Sequence, residues 1–238
     1  MNQLKVGGII VDVVRKDINN LHLAVYPPTG RVRIATPLLV SDESVRLFVI
    51  SKLAWIKKQK AKFAGQERQT KREYVSGESH YFEGSRYLLK VIYKTGAQKV
   101  VVRNKKYIDL YARPGTDSEG RGRILTNWYR REMKKKLPAL VDKWQQVVGT
   151  QANAWGIERM KTRWGTCKTE TGRIRLNLEL VKKPKHCLEY IIVHELVHLI
   201  ERRHNDRFVS LMDKFLPNWR LYQNELNELP LGFSDWIC

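Results

Sequence analysis

With 238 residues, 42 % of them hydrophobic and 29 % charged, the chain is long enough for one large globular domain or two small ones. No run of about 18 apolar residues occurs, which excludes a membrane-spanning helix, and the apolar start is interrupted by Asp12 within a β-branched alternation, which reads as a first strand and not as a signal peptide. Lys and Arg outnumber Asp and Glu by 44 to 24, a formal charge of +20 and a pI near 10.0, and a field of that sign attracts polyanions such as DNA or other polyphosphates.

Residues 7–36 alternate as strands do: Gly7 to Val14, Leu21 to Tyr26, a turn over Pro27-Pro28-Thr29-Gly30, then Arg31 to Ala35, ended by Pro37. Residues 41–63 read as a helix capped by Ser41, with Asp42 and Glu43 in its first turn and Val45, Phe48, Val49, Leu53 and Ile56 on one face. Its basic tail, Lys57-Lys58-Gln59-Lys60-Ala61-Lys62, complements the helix dipole. Residues 73–112 return to strand patterning, with a hairpin turn at Tyr81-Phe82-Glu83-Gly84 and strands over Tyr87 to Tyr93, Val100 to Val102 and Tyr107 to Tyr111.

Arg113 to Gly120 is rich in turn formers and is the natural linker. It divides the chain into a β-rich domain with one helix over 1–115 and a second domain over 116–238, an α+β protein. Residues 122–148 read as a helix that Pro138 would kink or split, with a basic face that includes Arg131, Lys134 and Lys135. A hairpin is expected over 157–180, from Arg159 to Cys167, a turn at Thr169 to Gly172, and Arg173 to Leu178. Pro184 suits the first position of the next helix. No internal repeat is legible. The three cysteines, Cys167, Cys187 and Cys238, form no CxxC and are odd in number, which favours a thiol-reducing compartment and hence the cytoplasm.

That next helix carries His194-Glu195-Leu196-Val197-His198. Four residues advance a helix by little more than one turn, so both imidazoles lie on one face and can share one metal. Glu195 projects about a quarter turn away, suited to taking a proton from a metal-activated water. A catalytic zinc needs a third protein ligand and an open position. His204 supplies that ligand if the helix ends after His198, with Glu201, Asp206 and Asp213 as rivals. The spacing HExxHxxxxxH is that of metzincins, but Glu201 stands where they have Gly, so the turn must differ. Upstream, Arg163-Trp164-Gly165-Thr166-Cys167 offers a strand edge for an extended substrate, with Arg163 a candidate to contact substrate or an oxyanion and Asn177 a candidate to orient a ligand.

Trp164-Gly165-Thr166-Cys167, Asn177-Leu178-Glu179-Leu180, Tyr190 to Leu199, His204 and Phe208 resemble the YgjP-like branch of the SprT-like zinc metallopeptidases. The resemblance implies a zincin-like catalytic domain behind a β-rich N-terminal domain, one zinc on His194, His198 and His204, and Glu195 as general base. It implies a metal-dependent hydrolase or peptidase, in some members encoded beside restriction-modification genes, and a nucleotide pyrophosphatase activity has been attributed within the family. Three functions are therefore carried forward: a zinc peptidase acting on peptides or proteins, possible near DNA; a nucleoside triphosphate pyrophosphatase; and a nucleic-acid-binding protein with a vestigial metal.

Overall fold

The computed structural model describes residues 2–26, 29–65, 72–160 and 163–228. Pro27, Pro28 and Cys238, and part of the strand expected over 159–167, lie outside them. The fold is α+β, strand-rich first and helical later, and the chain divides into two compact units whose described residues lie within 2–65 and 72–228.

In the first unit, β1 (Asn2–Val6), β2 (Ile9–Lys16), β3 (His22–Tyr26) and β4 (Arg31–Pro37) form a sheet in the order β1-β2-β4-β3. β1 and β2 turn at Gly7-Gly8, both at positive φ. Ser41 caps α1 (Asp42–Ser51) as the sequence indicates, accepting a hydrogen bond from the Ser44 amide. The helix breaks at Lys52 and resumes as α2 (Leu53–Gly65), two helices where the periodicity indicates one. Val11, Val32, Ile34, Val45, Val49 and Ile56 form the core. Asp12, on β2, is buried but satisfied by Gln3 and Arg31.

In the second unit, β5 (Ser79–Phe82), β6 (Ser85–Tyr93), β7 (Lys99–Arg103) and β8 (Tyr107–Ala112) form a sheet in the order β5-β6-β8-β7. The pairing is that of the first sheet repeated: an antiparallel hairpin, a parallel central pair and an antiparallel edge. Each set is followed by a side-chain-capped helix, at Ser41 and at Asp117. The repeat is one of topology; the residues do not announce it, because each sheet needs only alternation and not identity.

The stretch expected to link two domains is a tight strand-to-helix connection inside the second unit. Thr116 N–H bonds Arg113 O at 3.1 Å, and Asp117 caps α3 (Ser118–Val148) through the Gly120 amide at 2.7 Å. The turn formers there serve as a cap, and the chain's division falls earlier than residues 113–120. α3 is one 31-residue helix that carries Pro138 in its interior, closed by Gly149 at φ 73°. Leu137, Leu140 and Val141 are buried around the proline and hold the helix on course despite the missing amide.

β9 (Ala154–Glu158), β10 (Gly165–Lys168) and β11 (Arg173–Asn177) form a third sheet in the order β10-β11-β9. The hairpin of β10 and β11 is as expected but shorter, and β9 adds a parallel strand the sequence reading omits. A 3-10 helix (Leu178–Lys182) leads to α4 (Lys185–Val197), for which Pro184 is the cap residue and not the first helical one. α4 is buried on nearly all sides, among α3, α5 (Asp206–Phe215), α6 (Trp219–Glu228) and β10. That all-round burial explains its continuous apolar sequence.

Candidate metal centre

α4 ends at Val197, and His198 is its C-cap in right-handed helical geometry. Ile200 and Glu201 amides both bond Val197 O at 2.9 Å and close the turn. Glu201 is not among the positive-φ residues, so this turn needs no glycine there. Asn205 then caps α5, accepting from the Phe208 amide at 3.0 Å, which fixes the chain directly after His204.

These two helix ends bring three imidazoles together. His194 Nε2 lies 3.2 Å from His198 Nε2 and 3.1 Å from His204 Nε2. Nitrogen ligands at about 2.0–2.1 Å in a tetrahedral arrangement stand roughly 3.3 Å apart, so the donor set fits one zinc-sized ion. His198 Nδ1 donates to Glu201 O at 3.2 Å, which leaves its Nε2 with a lone pair. Burial pushes the His194 pKa down to about 3, reinforced by His198 and His204, and burial also lowers that of His198. Neutral, lone-pair-bearing rings are what a metal requires. The Phe208 ring packs under all three, with centroids 5.0, 4.8 and 4.7 Å from His194, His198 and His204.

Of the rival ligands, Glu201 accepts the Arg203 amide at 3.0 Å and contributes through its backbone carbonyl, while Asp213 is held by Arg220 and by Trp219 Nε1 at 2.7 Å. Asp206 sits in the first turn of α5. None of the three belongs to the histidine cluster.

Glu195 is buried, at 4 % exposure, and burial raises its pKa to about 8 against a lowering by Arg163. It rests on Gly165: a Cβ there would stand 2.4 Å from Glu195 Oε1 and 2.9 Å from its Cγ. An open cleft of about 500 Å³ runs from the histidines along β10, lined by Arg163, Gly165 to Glu170, Glu195 and Arg202. Arg163 thus lines the same cleft as the histidines and Glu195. Cys167 also lines it, its thiol pushed up to about 11 by burial and by Glu195 and Glu170. Asn177 orients no histidine. It is buried and donates to Arg163 O at 2.7 Å and Met160 O at 2.9 Å, while its own amide bonds Trp164 O at 2.8 Å. It therefore fixes the backbone leading into Gly165. Gly165 and Phe208 carry positional roles that sequence reading does not assign, because each is defined by a partner distant in the chain.

A comparison with protein families matches residues 20–229 to the YgjP-like metallopeptidase domain. The chain belongs to the YgjP-like family. As a YgjP-like protein it is a hydrolase of the metallopeptidase kind, and that membership implies a bound metal for which the histidine cluster is suited. No curated protein matches the chain. Among solved structures it is similar to the metallopeptidase zymogen of Pyrococcus abyssi abylysin, at 20 % identity over 37 % of this chain and 90 % of that one, with a TM-score of 0.35. Among the described residues no helix is long and apolar enough to cross a membrane.

Proposed function

We propose that this YgjP-like protein is a zinc-dependent peptidase in which His194, His198 and His204 hold one zinc and Glu195 is the general base. The observation that carries the reading is the placement of His198 Nε2 and His204 Nε2 at 3.2 and 3.1 Å from His194 Nε2, beside a buried carboxylate. When bound, zinc would supply a Lewis acid for the scissile carbonyl and bring the pKa of a water toward about 7. Glu195 takes a proton from the attacking water and returns it to the leaving amine nitrogen as the carbon–nitrogen bond breaks, ending as it began. Its raised pKa reflects burial, and a neighbouring dication acts on it in the same direction as Arg163. Among the described residues β10 is an edge strand, which suits main-chain pairing with an extended peptide, and Arg163 suits contact with a substrate carbonyl or the developing oxyanion. The +20 charge supports work near DNA, which salt-dependent retention on duplex DNA tests.

Metal content measured on purified protein tests the centre. About one zinc per chain is expected, weakened in His204→Ala and abolished in His194→Ala/His198→Ala. A wild type that takes up no metal after zinc is supplied would remove the basis of the reading.

A further inference from the structure

The cleft along β10 carries cationic side chains besides the three histidines and Glu195. Arg163 stands just before β10 and Lys168 ends it; both are exposed and both line the cleft. Among the described residues neither side chain makes an ion pair. The cleft's two carboxylates lie within electrostatic reach of these cations without pairing with them: Glu170 pairs with Arg202 at 3.3 Å, and Glu195 is buried against Gly165. Main-chain pairing along a strand edge is blind to sequence, so discrimination between peptides falls to the side chains that line the cleft, these cations among them.

Strand geometry sets what they read. Residues rise about 3.3 Å along a strand, so Lys168 stands roughly 10 Å beyond Gly165, where the Glu195 carboxylate rests. An extended peptide paired with the open edge of β10, its scissile carbonyl at Glu195, places a side chain about three residues away beside Lys168. Arg163, at the other end, flanks the scissile bond. A cation in such a cleft attracts an anionic side chain and repels a cationic one.

We propose that the cleft selects extended peptides bearing carboxylate side chains within about three residues of the scissile bond. The inference rests on the peptidase reading above, and binding and cleavage are measured separately so that the two can fail separately.

Zinc-loaded, full-length Glu195→Gln binds fluorescein-labelled peptides that are acidic, neutral or basic at those positions and otherwise identical, followed by anisotropy at low and high salt. The acidic peptide is expected to bind about tenfold tighter than the neutral one, and the basic one more weakly. Because the whole chain is basic, the deciding comparison is between two double reversals of equal charge. Arg163→Glu/Lys168→Glu should invert the preference, whereas Arg131→Glu/Lys134→Glu, on exposed positions of α3, should leave it in place. A preference that survives the cleft reversal, or that both reversals reduce equally, overturns the proposal, as does failure of all the peptides to bind. Acidic-peptide binding that inverts as expected, without hydrolysis by wild type, supports the selectivity and overturns the peptidase reading. Equal cleavage of all three peptides keeps the peptidase and overturns the selectivity.

Discussion

At Gly165 a hydrogen stands where any other residue would place a carbon 2.4 Å from Glu195 Oε1. The Glu195 Cγ and Cδ are also within 2.9 Å of that point, so the carboxylate could not step aside by rotating its tip alone. Gly165→Ala is expected to keep its zinc and its fold and to lose about 100-fold in kcat/KM, the scale of a misplaced reacting group. Full activity in that variant would show that Gly165 does not set the carboxylate. Phe208 acts on the other side of the centre, its ring 2 % exposed beneath three imidazoles. Phe208→Ala should cost about 3–5 kcal/mol in urea unfolding. It should also weaken zinc about 10-fold or more in competition with a chelator, because the rings lose the surface that orients them. An unchanged zinc affinity would reduce Phe208 to simple core packing. His194, Glu195 and His198 are legible in the sequence because one helical turn fixes their geometry. His204 is less so, since its approach depends on how the turn at Glu201 closes, and Gly165 and Phe208 depend on contacts between segments that no spacing encodes.

Among the elements, those governed by short-range physics were the readable ones. Alternation marks β2, β4, β6 and β8, and Ser41 followed by Asp42 and Glu43 marks the start of α1. The departures occur where packing outweighs local preference: Pro138 lies within α3, β9 finds its place only by pairing with β11, and the Arg113 to Gly120 stretch caps a helix. The same holds for the β5–β6 turn. Glu83 and Gly84 adopt φ of 52° and 79°, and their amides bond Val181 O at 3.0 Å and Lys182 O at 3.1 Å. Gly84 also packs on Pro184, the cap of α4, where an added Cβ would fall 3.2 Å from the proline Cα. The turn thus fastens a sheet to the base of α4, the helix that carries His194 and Glu195. Gly84→Ala is expected to lower stability by about 1–3 kcal/mol, from positive φ and contact together, read as a lower midpoint in urea. A shift below a few tenths of a kcal/mol would mean the turn can lift from Pro184 at little cost.

For the molecule as a whole, the +20 charge governs what it meets in solution, while a few enclosed ionisable groups govern where it is stable. Glu179 is largely enclosed; burial opposes its charge, but Lys182 and other cations outweigh burial and lower its pKa, so its contribution is complete above the unfolded carboxylate range and is lost as pH falls below it. His80 responds at milder pH. It is 4 % exposed, its Nε2 has no hydrogen-bond partner among the described residues, and burial, with Arg72 and Lys182, pushes its pKa down to about 3. Glu78 lies 3.5 Å from that nitrogen and would pull the other way, but Arg72 already holds it at 3.3 Å, so burial prevails. A histidine whose folded pKa lies below its unfolded value of about 6.5 takes up its proton first in the unfolded chain. The stability it permits is therefore complete above pH 6.5 and declines as pH falls from there toward 3. The decline is about 1.4 kcal/mol per pH unit while one proton separates the two states. His80→Phe retains a ring against Tyr74, which stacks on His80 at 5.9 Å, and cannot titrate. Urea unfolding followed through the buried Trp128 and Trp144 should then give a wild-type stability that falls more steeply than the variant's between about pH 6.5 and 5, by close to one proton. Parallel pH profiles would mean that Glu78, and not burial, determines the charge His80 carries.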